Sequence, residues 1–435
     1  MEITPLEPWI KAKIGSTSIG ADLRSDIDRY QLQKLRETVD YARTRAPFYR
    51  SLFKGVGGGD LKSLADIASL PFTTAVDIQT DDLSFLCVSC DEISRVVTLR
   101  TSGTASPAKR IHFTEEDLEL TTDLFHHGMQ ALVSPGQRVL ILMPGELHGS
   151  VGDLMVKALP RMGAEGILHG IVLDDAAAIA EIVAKDIDCL IGIPVQVLGL
   201  VRHPDAVKIP RGQIKSVLLS ADYVPSAIVS EIERAWGCPV FNHYGMTEMG
   251  LGAAVDCCAL SGYHIRESDL YFEIVNPGSG LPVPDGQTGE VVFSTLTRKG
   301  MPLIRYRTGD LSRFIPEPCL CGTILRRLAW VSGRIRGGVI IGAQSVVTVA
   351  DLDEALFPLP GLLNFQTEIR GTRDMASLHV TLYTGKDSGS DDFLSDKARH
   401  ALGKIPAVRA AMADGLLNLA SCTISSENWI FNGSI

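Results

Sequence analysis

Between residues 138 and 242, short apolar runs alternate with stretches of helical periodicity, and that rhythm constrains the fold more than any other feature. Runs at 138–143, 165–168, 189–194, 217–221 and 239–242 have the length and apolar character of buried strands. Segments at 154–159, 174–185, 196–202 and 225–236 repeat apolar residues at helical spacing between them. Such alternation predicts an α/β fold, a large N-terminal domain of mostly parallel sheets covered by helices. Ligands of such sheets bind at the carboxyl ends of strands. Upstream, residues 27–49 predict a packing helix with Leu32, Leu35, Val39 and Ala42 on one face.

Beyond Arg336 the pattern changes. Strands are expected at 339–341, 364–369, 377–383 and 419–425, with helices at 351–357 and 391–402, and Pro406 bars the second helix from continuing past Ile405. That is the profile of a small α+β C-terminal lid domain. With 435 residues, too many for one ordinary core, the chain divides into domains at 1–334 and 335–435.

A net charge of -10 leaves no basic surplus for nucleic acid. Nine cysteines, an odd number scattered without a secretory leader, fit a reducing compartment. The N-terminus carries Glu2 where a signal peptide needs basic charge, and no apolar run is long enough to span a bilayer. A cytoplasmic protein without a membrane partner is expected.

Three polar, glycine-punctuated segments interrupt this framework. The stretch 101–109 follows a β-branched run at 96–99 that reads as a buried strand, and precedes a helix over 117–132 with Thr114 as its cap. Its hydroxyls at Thr101, Ser102 and Thr104, with Gly103 and the charge of Lys109, can hold an anion; it can equally be a surface loop rich in Ser, Thr and Pro. The spacing is not that of a Walker A loop. In the second segment, Tyr244 offers a flat face for a purine, Thr247 a hydroxyl for a phosphate and Glu248 a hard oxygen for Mg²⁺. In the third, Asp310 follows Gly309 and can accept hydrogen bonds from a ribose, or sit in a salt-bridged turn.

Taken in this order, the three segments resemble the signature motifs of the adenylate-forming superfamily, and within it the phenylacetate:CoA ligases. The likeness to the latter rests on 39–50, on 295–307 with Pro302 to Arg307, and on Cys319-Leu320-Cys321-Gly322 shortly before Gly333-Arg334. The resemblance implies ATP-dependent activation of a small carboxylic acid, aryl or related, to an acyl-adenylate with release of pyrophosphate. Transfer to a thiol, coenzyme A, follows. Ser102, Thr104 and Lys109 would cradle the β and γ phosphates, with Thr101 and Gly103 in the same loop, and Thr247 the α-phosphate. Tyr244, Gly245 and Met246 would line the nucleotide, Glu248 would hold Mg²⁺ and Asp310 the ribose. Arg334 would meet the ribose or phosphates, Ser220, Ala221 and Asp222 would border the adenine, and His148 would stand where relatives keep a carboxylate-pocket or gating side chain. In relatives the small domain rotates between the half-reactions.

Several positions depart from the family pattern. Ser106 replaces the second glycine of the phosphate loop and Pro107 stiffens it, and Arg336 stands at the hinge. Relatives carry a lysine in a glycine-containing loop near the C-terminus. Here Asn432-Gly433-Ser434-Ile435 reads as the start of that loop, and Lys404 lies well upstream. The expectation is that the sequence stops just short of the lysine; the alternative is impaired adenylation, hence a non-catalytic nucleotide-binding relative. A carrier-protein thiol or an amine as acceptor is the other alternative, and a homodimer is left open. Finally, Cys257, His264, Cys319 and Cys321 form a set suited to structural zinc, Cys257 rather than Cys258 matching the relatives.

Overall fold

The computed structural model describes residues 2–99, 108–341, 345–372, 375–385 and 391–425. The chain forms two compact units, one of Met1–Gly170 with Phe241–Val331 and one of Ile171–Val240 with Ser332–Gly433.

In the first unit the helix Gly20–Arg45 buries Leu23, Ile27, Leu35, Val39 and Ala42. Its buried stripe runs through Gln31 and Thr38 rather than the expected Leu32, which is only half-buried. Residues 31, 35, 38, 39 and 42 keep the 3.6 period, and the polar members are satisfied: Gln31 Nε2 donates to the Glu267 carbonyl at 2.8 Å and Thr38 Oγ1 to the Leu296 carbonyl at 3.1 Å. Strands Arg138–Ile141 and Glu165–Leu168 pair in parallel around the helix Val151–Ala158, one βαβ unit of the expected kind. An antiparallel set follows, Val240–Tyr244 beside Ala254–Asp256, then Tyr263–Ile265, then Arg327–Leu328. A second antiparallel set joins Leu270–Val275, Gly289–Thr295 and Tyr306–Ser312.

The segment around Lys109 differs from its expectation. Arg95–Leu99 is not a buried strand but half of a two-stranded antiparallel ladder with Lys109–Phe113, in which Leu99 faces Lys109. Its residues alternate between half-buried and exposed, because among the described residues no third strand covers them. Lys109 therefore opens the return strand of a hairpin instead of closing a strand-to-helix loop, and the helix Glu115–Met129 begins six residues past it. Thr114 does cap that helix: its Oγ1 accepts from the Asp117 amide at 3.1 Å, while Asp117 returns a carboxylate to the Thr114 amide.

The second unit holds the parallel pair Cys189–Gly192 and Ser216–Leu219 with the helices Asp175–Ala184, Pro194–Arg202 and Ser226–Trp236. Its C-terminal portion is α+β. A hairpin of Gly338–Ile341 and Ser345–Thr348 leads into the helix Val349–Leu356, and a hairpin of Leu362–Thr372 and Met375–Thr384 takes Leu417–Ser425 as a parallel third strand. Pro406 ends one helix, Asp391–Lys404, and opens another, Pro406–Ala413, as its first residue. The α/β class expected from the alternation is the one observed, with antiparallel sheets added. No described helix is long and apolar enough to cross a membrane.

Candidate active site

The strand Val240–Tyr244 delivers Tyr244 to a tight turn and a short 3₁₀ helix, Thr247–Met249, closed by Gly250 in the left-handed conformation. A side chain at Gly245 would place its Cβ 2.4 Å from the Leu251 carbonyl oxygen, so the turn admits only glycine there. The turn sinks Glu248 to 1% exposure. Its Oε1 takes the ammonium of Lys109, 139 residues away in the chain, and accepts from the Tyr306 hydroxyl at 3.0 Å. Lys109 Nζ also stands 3.3 Å from Tyr306 Oη. The carbonyl of Glu248 accepts from Arg298 Nη1 at 2.8 Å, and Arg298 Nη2 donates to the His112 carbonyl at 3.0 Å. Burial pulls the Arg298 guanidinium down to about 10, still charged at neutral pH.

Tyr306 belongs to the strand Tyr306–Ser312, and Asp310 lies four residues along it, beyond a break in its register with Gly289–Thr295. Gly309, at φ +78°, lets the strand make the turn that places Asp310; its amide donates to Glu290 Oε1 at 3.1 Å. Tyr244 Oη donates to Asp310 Oδ2 at 2.9 Å. Burial, and then the charge of Asp310, hold the Tyr244 phenol well above its ordinary pKa, so it stays a donor. One strand thus carries two polar centres, a cation–carboxylate–phenol cluster at Tyr306 and a phenol–carboxylate pair at Asp310. Tyr306 and Arg298 were missed as site residues by sequence reasoning. Both stand in segments that carry the family likeness, and the missing signal was their partners, which the fold alone reveals.

Thr247 opens the 3₁₀ helix and Met246 precedes it as its N-cap. Among the described residues His148 does not join these groups through a hydrogen bond: its Nε2 pairs with Glu115 Oε2 at 3.0 Å, its Nδ1 accepts from Lys157 Nζ at 3.3 Å, and it is exposed. Thr101, Ser102, Gly103 and Thr104 lie outside the described residues, as does 432–435. Lys404 ends its helix exposed to solvent.

Ser220, Ala221, Asp222 and Arg334 belong to the second unit. The Ser220 amide donates to the Gly192 carbonyl at 3.1 Å, and Ala221 follows at φ +73°, a left-handed conformation that costs a non-glycine residue about 1 kcal/mol. Burial raises the Asp222 carboxyl, and the nearby Arg334 charge offsets part of that.

The four donors proposed for metal converge in the first unit. All of Cys257, His264, Cys319 and Cys321 are buried, and their donor atoms lie within 4.8 Å of one another. Cys257 Sγ is 3.6 Å from Cys319 Sγ and Cys321 Sγ 3.6 Å from His264 Nε2. A disulfide needs about 2.05 Å between sulfurs. A tetrahedral zinc with bonds of about 2.3 Å to sulfur and 2.05 Å to nitrogen spans about 3.8 and 3.6 Å between such pairs. Cys258 points away, exposed, to the Glu2 carbonyl. Burial lowers the His264 imidazole to about 4, leaving it neutral as a ligand must be.

Residues 75–297 match the family model described as AMP-binding enzyme. The chain is 28% identical over 408 residues to a phenylacetate-coenzyme A ligase of Thermus thermophilus, covering 90% of this chain and 89% of the relative. It is 28% identical over 377 residues to that of Escherichia coli, covering 82% and 83%. Among solved structures, 2-hydroxyisobutyryl-CoA ligase in the postadenylation state with 2-HIB-AMP superposes with a TM-score of 0.79 at 21% identity, over 95% of this chain and 88% of that one, a likeness of fold. The family match takes in the Lys109 hairpin and Glu248, just over half of the sequence, and on that ground the chain belongs to the AMP-binding enzyme family.

Proposed function

We propose that the protein is an acid–thiol ligase that activates a small organic acid with ATP to an acyl-adenylate, releasing pyrophosphate, and passes the acyl group to coenzyme A. The observation that carries this reading is the strand Tyr306–Ser312, which serves Lys109 and Glu248 at one end and Tyr244 at the other. In this reading the phosphates of the nucleotide lie at Lys109 and its ribose at Asp310. The relatives named as coenzyme A ligases support the choice of acceptor, and those named for phenylacetate support an aryl acid.

In this reading the carboxylate of the substrate attacks the α-phosphorus of ATP and pyrophosphate leaves. No side-chain nucleophile is required; the chain positions the reactants and neutralises charge. Lys109 exchanges its Glu248 partner for the β and γ phosphates, joined by Thr101, Ser102, Gly103 and Thr104, and Thr247 offers its hydroxyl to the α-phosphate. Asp310 accepts from the ribose hydroxyls in place of Tyr244, whose ring, with Gly245 and Met246, walls the nucleotide. Ser220, Ala221 and Asp222 border the adenine, Arg334 meets the ribose or phosphates, and His148 flanks the acid's entry. Glu248, a buried carboxylate released by Lys109, is a suitable hard ligand for Mg²⁺, which when bound neutralises phosphate charge. Cys257, His264, Cys319 and Cys321 fit structural zinc by donor type and span. Residues 335–435 act as the small mobile domain. None of the nine cysteines is in a disulfide, which suits the cytoplasm.

ATP/pyrophosphate exchange across a panel of aryl and short-chain acids, followed by thioester formation with coenzyme A, tests this reading. Exchange with one acid and a thioester are expected. Exchange with none of them sinks the ligase, while exchange followed by transfer only to a carrier-protein thiol or an amine sinks coenzyme A as acceptor. Metal analysis of protein purified without added metal is expected to return one zinc per chain.

A further inference from the structure

Within the second unit, the segments 171–240 and 332–433 are joined by two charged side chains acting at helix ends. Glu354, on the helix Val349–Leu356, reaches the first residue of the helix Ser226–Trp236. Its Oε1 accepts from the Ser226 amide at 2.9 Å and from Tyr223 Oη at 2.9 Å, and its Oε2 meets the Ser226 hydroxyl. That helix has Pro225 at its N-cap and no side-chain cap of its own, so Glu354 supplies the anion its N-terminus lacks. Arg202, at the end of the helix Pro194–Arg202, makes the reciprocal contact. It donates to the carbonyls of Phe357, at 2.9 Å, and Leu362, just past the end of the Val349–Leu356 helix, and is held from behind by Glu231 at 3.2 Å. One helix is thus gripped by a cation at its carboxyl end and grips another through its own carboxylate.

Two features set this contact apart from close packing. Beside it lies a cavity of about 870 Å³, lined by Tyr223, Glu354, Phe393, Lys397, His400 and Lys404, so the charged contacts stand next to open space rather than close packing. Asp353, buried near Asp222 and Glu354, sets a third carboxyl group against the same spot. Charged, hydrogen-bonded contacts around a gap are the kind that domains break and remake. In the same unit Arg334 lies within charge range of Asp222, and the proposed function gives both to the nucleotide.

From this arrangement we infer that Glu354 and Arg202 are positioning residues, a clasp that holds the 335–435 segment in place for adenylation and lets go for acyl transfer. The inference rests on the two-step ligase reading. It is tested by measuring the half-reactions separately: pyrophosphate exchange for the first, and thioester formation from preformed acyl-adenylate and coenzyme A for the second. Glu354→Gln and Arg202→Met are expected to slow exchange about tenfold, the loss of one charge-assisted hydrogen-bonded contact. Transfer from the preformed adenylate stays unchanged or becomes faster. Tyr223→Phe with Ser226→Ala removes only the two hydroxyls and shifts the ratio in the same direction by a smaller factor, which keeps the test valid where a charge variant folds poorly. Equal slowing of both steps, slowing of transfer alone, or no change in any variant overturns the clasp. Wild-type protein lacking both half-reactions instead overturns the ligase reading on which it stands.

Discussion

Glu248 is engaged twice through one oxygen, by an ammonium and by a phenol, in a place almost closed to water. A buried carboxylate is tolerable only while paired, so removing one partner strands the other. In the ligase reading that pairing is what the nucleotide displaces, and Lys109 and Glu248 have separate duties afterwards. Lys109→Ala and Glu248→Gln are each expected to lower pyrophosphate exchange by about 100-fold or more, the scale of losing one preorganised charge contact to a reacting phosphate. Far-UV circular dichroism is expected to stay as in the wild type. Tyr306→Phe keeps the ring and loses only the hydroxyl shared by both, so a smaller loss of about tenfold is expected in the same assay. Unchanged exchange in all three would remove these residues from the site. At this scale the sequence singled out Lys109, Glu248 and Asp310 as candidates through their motifs, because each lies in a polar run set against apolar strands. It did not show Tyr306 or Arg298 as site residues, because their worth lies in hydrogen bonds to groups 58 and 50 residues away.

Asp117 shows how an element can be fixed by one side chain. It is buried, it closes the capping box of Glu115–Met129 with Thr114, and its two oxygens also accept from the amides of Lys299, at 2.8 Å, and Gly300, at 2.9 Å. The helix start is thereby tied to the segment that carries Arg298, and through Arg298 to Glu248. Asp117→Ala is expected to cost about 2 to 4 kcal/mol, since it orphans buried amides as well as a cap, against about 1 kcal/mol for Thr114→Ala, as read from urea unfolding. Equal costs would mean that the link to Lys299 and Gly300 contributes nothing. The cap itself was legible, a threonine before three acids at the start of an apolar-periodic run. The hairpin on its other side was not: 96–99 reads as a buried strand by composition, yet with a single neighbour it stays half-exposed. Periodicity reports which residues prefer burial, and it is silent on how many strands arrive to cover them. The same limit hid the helix Pro406–Ala413, where a proline that ends one helix serves as the first residue of the next.

The two units carry different acid–base liabilities. In the second, Asp353 is raised to about 8 by burial and then by the charges of Asp222 and Glu354, and Asp222 and Asp175 are raised by burial as well. A carboxyl raised in the folded state holds a proton that the unfolded chain releases near pH 4. Its contribution is therefore complete below that pH, declines as pH rises towards 8, and changes no further above it. In the first unit the buried groups oppose one another. Burial lowers His243 to about 4, which removes stability as pH falls from about 6.5 to 4, whereas Asp256, raised to about 6 by burial, adds stability as pH falls over much of that range. Differential scanning calorimetry between pH 5 and 8 is thus expected to show the transition of the second unit falling by about 5 °C or more with rising pH, while that of the first moves less. Asp353→Asn keeps the shape and removes the titration, so it is expected to raise the second transition at pH 8 and flatten its slope. A single transition that shifts as one, or an Asp353→Asn protein with the wild-type slope, would show that the carboxylates around Glu354 do not set the pH response of this half of the molecule.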